Sequence, residues 1–216
     1  IEETTETRGQ IFILDSGVRR RVARPHQAKE DLFGYSLALD GDRLLVGSPT
    51  ESGAWLIELS NQSKPRFLSG EIGSTASSGA SVALSKDFAA TSTATSLGIA
   101  RTTIHLLDGN SVTVDKGGQL AAADKLLAIA EPRMPDSERQ ASVTLFRVGA
   151  ESVREVSRFP GAVAAALTES YLATVVTEGG DVRLCMNKMT ESPLGSDTSD
   201  HCPALNNTDG PSFDWT

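Results

Sequence analysis

Aromatic residues make up only 5% of this 216-residue chain, with two Trp, two Tyr and seven Phe. That scarcity excludes a core of large rings and favours many short strands in tightly packed sheets. No stretch approaches the roughly 18 consecutive apolar residues of a membrane helix. No signal-peptide pattern opens the chain, so Ile1 is read as the start of a mature or shortened chain rather than a translational start. Basic residues are in the minority, 20 against 28 acidic, and the formal charge is −8. A nucleic-acid partner is therefore not expected, because a phosphate backbone requires a basic face. The one basic run is Arg19-Arg20-Arg21 with Arg24 close behind. It reads as an exposed strand, or as a contact for an acidic partner. Hydrophobic residues reach 39%, well clear of the disordered regime.

Cysteine is nearly absent too. Cys185 and Cys202 fit neither a zinc spacing nor a redox CxxC pair. A disulfide between them is expected, tying down the C-terminal segment and removing roughly 3 kcal/mol of unfolded-state entropy. Two N-glycosylation sequons, at Asn61 (Asn61-Gln62-Ser63) and Asn206 (Asn206-Asn207-Thr208), point with it to an oxidising, extracellular compartment.

What the chain has is alternation. Short apolar and β-branched runs bounded by Gly, Asp, Ser or Pro recur to about residue 188, and no amphipathic helix exceeds two turns. The runs repeat. The first unit runs from Phe33-Gly34 through Leu37-Ala38-Leu39-Asp40-Gly41-Asp42 to Leu44-Leu45-Val46-Gly47-Ser48-Pro49, followed by Ala54–Leu59 and Arg66–Leu68. Further units open near Gly79, Gly118 and Gly161. The period of about 40–45 residues, with four strands per unit, is that of one β-propeller blade.

Each part of the unit has a physical reason. Small residues suit an innermost strand, where blades converge. Asp40-Gly41-Asp42 suits a tight hairpin, with Gly41 supplying the positive φ. Leu44-Leu45-Val46 runs rather than alternates, as a strand buried on both faces does, and Leu126, Leu127 and Ile129 match it in the third unit. Pro49 ends the strand because it has no amide hydrogen for a ladder.

The fold expected is all-β, a propeller of about four four-stranded blades spanning residues 1–188, closed by itself or as part of a larger ring. Residues 9–24 resemble the outer two strands of a blade that lacks its inner ones. They either complete the fourth blade or belong to a ring finished by another chain or another copy. Residues 189–216 are expected to form an irregular segment pinned by the disulfide, with Phe213 and Trp215 docking on the propeller or on a partner.

Phe33-Gly34 followed by Val46-Gly47-Ser48-Pro49 resembles the FG-GAP repeat of integrin α-subunit propellers. The resemblance covers roughly residues 9–188. It is specific in the first unit and architectural in the rest, where Thr91-Ser92 and Ala130-Glu131-Pro132 stand in place of the signature. It implies a cell-surface binding module. Repeats of that family often hold calcium in an Asp-rich loop between the first two strands. Here that loop is only Asp40-Gly41-Asp42, and its counterparts are Ser85-Lys86-Asp87, Asp124 and Thr168-Glu169-Ser170. These supply too few oxygens for an ion that takes about six to eight, so plain hairpin turns are expected, with no metal and no cofactor.

Catalytic signatures are missing. His26, His105 and His201 stand apart, and no Gly-x-Ser-x-Gly elbow, phosphate loop or His-Glu-x-x-His occurs. The sequence therefore reads as an extracellular module whose propeller loops contact a protein or glycan, and not as an enzyme. The alternatives are a subunit of a larger assembly, or part of an enzyme whose ring or site another chain completes.

Overall fold

The computed structural model describes residues 10–25, 32–60, 64–70, 76–95, 100–133, 140–150, 152–178 and 181–189. Strands β1 (Phe12–Asp15) and β2 (Val18–Arg21) form a two-stranded hairpin. Three four-stranded antiparallel meanders follow. The first blade is β3 (Leu37–Asp40), β4 (Arg43–Ser48), β5 (Gly53–Glu58) and β6 (Arg66–Ser69). The second is β7 (Ala76–Leu84), β8 (Phe88–Thr95), β9 (Arg101–Leu106) and β10 (Ser111–Val114), and the third is β11 (Gln119–Ala123), β12 (Leu126–Glu131), β13 (Ser142–Val148) and β14 (Val153–Pro160). A fourth sheet has three strands, β15 (Ala162–Leu167), β16 (Tyr171–Glu178) and β17 (Asp181–Lys188).

The sheets stack face to face in an arc. Strand β7 lies against β3 and β4, β11 against β7 and β8, and β15 against β11 and β12. A glycine with positive φ stands at the entrance to each blade: Gly34 (90°), Gly79 (92°), Gly118 (151°) and Gly161 (76°). L-residues with a Cβ rarely adopt these values, which is why the four openings share this one residue. The first hairpin turns at Gly41 (φ 59°) with Asp40 opposite Arg43, and Asp124 (φ 49°) takes the same role in the third blade.

Four apolar seams hold the stack. Second strands contribute to two seams at once, which explains their unbroken apolar runs. Leu44 and Val46 face the β1–β2 hairpin, with Ile11, Val22, Phe33 and Ile57. Leu45, on the other side of the same strand, meets Ala54, Leu68, Val82, Leu84 and Ala89 of the first two blades. In the third blade Leu127 and Ile129 join Phe88, Ile104 and Phe146, while Ala128 and Ala130 face the fourth sheet with Val143, Leu145, Phe159 and Leu172. Leu126, next to the turn, is only half-buried.

Two expectations need correction. Among the described residues the fourth sheet has three strands, and the β1–β2 hairpin does not complete it, as one of the two expected arrangements had it: the hairpin is a separate sheet packed on the first blade. Nor is the innermost strand uniformly crowded. Leu37 and Leu39 on β3 are 51% and 64% exposed, and no inner strand among the described residues covers them on that side. Of the C-terminal segment, Met189 alone is described. Its amide donates to the Ser170 carbonyl at 2.7 Å, and its side chain packs on the seam between the third and fourth sheets. Phe213 and Trp215 lie outside the described residues.

Leu45 is fully buried and Arg21 is exposed. Leu45→Ala is expected to cost about 2–5 kcal/mol in chemical denaturation, and Arg21→Ala about half a kcal/mol or less. Gly47→Ala is expected to destabilise strongly, because a Cβ there would run into the Gly79 carbonyl and the Ser36 hydroxyl.

Candidate functional site

The first-to-second-strand turns and the third-to-fourth connections of the second and third blades come together on one face. On that face a cleft of about 290 Å³ lies between the second and third blades. Its walls are Asp87, Leu106, Leu107, Asp108, Lys125, Val148, Gly149 and Ala150. The main chain holds this rim in place. The Leu107 amide donates to the Asp87 carbonyl at 3.4 Å, and the Val148 amide to the Lys125 carbonyl at 2.8 Å. Leu106 and Val148 are buried and form an apolar floor. Asp108 is occupied, accepting from the Asn110 amide (2.9 Å) and its side-chain nitrogen (3.2 Å). Half-buried Asp87 and exposed Lys125 form no ion pair among the described residues, so opposite charges stand ready over an apolar floor.

On the opposite face a polar relay spans the junction of the same two blades. Lys116 Nζ donates to Glu131 Oε2 at 3.0 Å, the Ser142 hydroxyl donates to the same oxygen at 3.3 Å, and Arg158 donates to the Ser142 oxygen at 3.2 Å. Every member is satisfied by another, and none is a nucleophile beside a free base. The relay ties β12, β13 and β14 to the connection before β11, and its role is structural.

His105 sits on β9, on the face toward the first blade, opposite Ala89 in register. Burial, reinforced by the Arg66 guanidinium, lowers its pKa from 6.5 to about 4. Its Nε2 has no hydrogen-bond partner. The ring is a neutral part of the seam between the first two blades.

The turns compared with calcium loops are otherwise engaged. Arg43 donates to Asp40 at 2.7 Å and to the Ser85 carbonyl at 3.2 Å, linking two blades, and Ser60 donates to Asp42. Among the described residues no three His, Cys, Asp or Glu side chains converge as a metal site would require. Cys185 is buried on β17 and is disulfide-bonded. Cys202, Asn61, Asn206, His26 and His201 lie outside the described residues. Arg19, Arg20 and Arg21 form exposed β2, with the Arg19 guanidinium 3.6 Å from the centre of the Phe12 ring.

Nothing in the sequence pattern marks the cleft. Its lining comes from four turns and two strand ends far apart in the chain, each of which alone reads as an ordinary hairpin connection.

No protein-family model and no curated protein matches the sequence. Among solved structures, a protein designated TolB from Agrobacterium tumefaciens aligns over 83% of this chain with a TM-score of 0.52 and 13% identity. The fold is a β-propeller. This chain spans only 65% of the length of that one. A WD40 domain of coronin from Toxoplasma gondii (TM-score 0.46, 10% identity, 73% of this chain and 46% of that) is also similar. So is a chain of a nidogen/laminin complex (TM-score 0.42, 11% identity, 83% and 87%).

His105 generates a pH prediction. Its folded pKa lies below the unfolded value, so the unfolded chain binds the extra proton first on acidification. Stability is therefore complete above about pH 6.5 and is lost as pH falls toward about 4, by at most roughly 3 kcal/mol. Urea denaturation across this range is expected to show that loss, and His105→Leu is expected to flatten it.

Proposed function

We propose that the chain is a secreted binding module of the divergent FG-GAP kind, contacting a protein partner through the turn face of its propeller arc. The observation that carries the reading is the cleft between the second and third blades. There Asp87 and Lys125, which form no ion pair among the described residues, flank a floor of Leu106 and Val148. Opposite charges fixed beside an apolar floor suit a peptide segment that offers an aliphatic side chain between polar groups. They do not suit a sugar, whose recognition needs several hydroxyl-pairing groups on an aromatic platform. The described residues supply no nucleophile held by a base, so binding rather than turnover is the activity assigned.

The extracellular setting is supported by the disulfide-bonded Cys185 and by the sequons at Asn61 and Asn206. Peptide mapping without reduction, on protein made in a secretory host, is expected to join Cys185 to Cys202 and to find glycan on both asparagines. Two free thiols and bare asparagines would overturn that setting.

Binding itself is tested by screening the glycosylated protein against panels of secreted proteins and of glycans. Protein ligands are expected, and the double variant Asp87→Ala/Lys125→Ala should weaken them at least about tenfold, roughly 1.4 kcal/mol, with an unchanged melting temperature. Glycan ligands alone, or affinity indifferent to both side chains, would sink the proposal. A second reading, a subunit completed by another chain, is favoured by a last sheet of three strands and a β1–β2 hairpin without inner strands, both among the described residues.

A further inference from the structure

The bases of this acidic chain are unevenly placed. From Ser16 to Lys29 the sequence holds five of them, Arg19, Arg20, Arg21, Arg24 and Lys29, and no Asp or Glu, although acids outnumber bases 28 to 20 overall. Three of the five follow Val18 in β2, and every residue of that strand is exposed. Arg19, Arg20 and Arg21 form no ion pair among the described residues. Asp15, the nearest carboxylate before them, accepts instead from the Ser16 hydroxyl at 3.1 Å.

The hairpin sets the direction of each arginine. Ile11 and Ile13 pack on the first blade, so the alternate residues Phe12 and Leu14 lie on the outer face, where both are exposed. Register puts Arg21 opposite Phe12 and Arg19 opposite Leu14. Cross-strand partners share a face, so both arginines stand on the outer one, about 7 Å apart along the strand. Arg20 alternates to the other side, opposite Ile13, and is exposed there too. The charge straddles a single strand as a ridge rather than lining a cleft. Arg19 is steadied by the Phe12 ring, whose centre lies 3.6 Å from its guanidinium carbon. Stacking uses the face of the guanidinium and leaves its in-plane N–H groups for an acceptor. Arg24 carries the run beyond the strand, 5.3 Å from the centre of the Phe33 ring.

We propose that this ridge binds a sulfated polysaccharide, a linear polyanion, through Arg19, Arg20 and Arg21. Dense basic runs of this length are a recurrent footprint of heparin-like and nucleic-acid ligands. Every base on the ridge is Arg, whose planar fork pairs two N–H groups with two oxygens of one anion, as an ammonium does not. Charges this close repel one another, a cost that the repeated anions of a polymer offset along the whole run. Charge on both sides of one strand suits a flexible chain lying across it, whereas a folded acidic surface meets one side only. The choice of sulfate over phosphate rests on the extracellular setting proposed above.

The test uses the full chain from a secretory host, with a heparin oligosaccharide as probe and affinity measured by calorimetry over a range of salt concentrations. Saturable binding is expected, and its loss when the probe is desulfated. Arg19→Ala/Arg20→Ala/Arg21→Ala is expected to weaken binding at least about tenfold and to lower the slope of log affinity against log salt by about two to three, close to one counterion per lost contact. The melting temperature is expected to stay that of the parent, because all three side chains are exposed. Undiminished affinity for desulfated probe, or for the triple variant, would overturn the proposal. So would equal or tighter binding of a DNA oligonucleotide or of poly-glutamate of matched charge. Binding that appears only in Glu2→Gln/Glu3→Gln/Glu6→Gln would mean that acids of the chain itself occupy the ridge, and would overturn it as well. Asp87→Ala/Lys125→Ala is expected to leave heparin affinity unchanged, so the ridge and the cleft stand or fall separately, and peptide mapping reads the extracellular setting independently of both.

Discussion

The whole arc depends on how closely the backbone of the first blade can approach that of the second. Where β4 ends and β5 begins, Gly47 and Gly53 press against Gly79 at the irregular start of β7, and a Cβ on Gly47 or Gly79 would overlap backbone oxygen. Gly34 donates to the Gly47 carbonyl at 3.0 Å, and Ser36 donates to the Gly79 carbonyl at 2.8 Å. Among the described residues no hydrogen-bond ladder joins one sheet to the next. Separation between sheets is therefore set by what stands between them, and a glycine-only contact fixes it at the narrow end. The Phe-Gly and Gly-Ser-Pro letters of the first unit are the residues of this junction. Phe33 fills the seam to one side of β4, and Gly47 makes the contact on the other.

That junction explains which parts of the structure could be read from the sequence. Leu44-Leu45-Val46 and the Leu126–Ala130 run were legible because a strand between two seams must be apolar on both faces. The opening glycines were legible because positive φ restricts the residue type. The serines that join neighbouring blades were not. Ser81 and Ser92 accept from the amides of Leu120 and Gly118, at 3.0 and 2.9 Å, and Ser85 donates to the Asp124 carbonyl. A serine at a strand end looks the same whether it bonds water or the next blade. His105 was equally opaque, since its displaced proton affinity comes from a seam and from an arginine 39 positions earlier in the chain.

The two faces and the two ends of the arc have different chemistry. The turn face carries fixed charge over a small apolar floor, with Asp87 and Lys125 set by two-to-three-residue turns that leave their backbone little freedom. The opposite face is cross-linked at the same junction by Lys116, Glu131, Ser142 and Arg158. The ends are apolar instead: Leu37 and Leu39 beside the hairpin, and Val163, Tyr171 and Met186 on the last sheet, all more than a third exposed. In a stack whose interior seams are aliphatic, side chains of that kind at the ends continue the pattern of the seams.

Because the backbone ladders run within each sheet and the main contacts between sheets among the described residues join neighbours, the stability of the fold has the form expected of a short row of modules. Its free energy is then close to a sum of single-sheet terms and nearest-neighbour coupling terms. Among the described residues the three full blades each meet a neighbour on both sides, and the β1–β2 hairpin and the fourth sheet meet one each. Strand pairing here is local in the chain, each partner following the last, and folding can start at any seam and spread both ways. A sheet added at either end would couple to the row without rearranging the blades already formed.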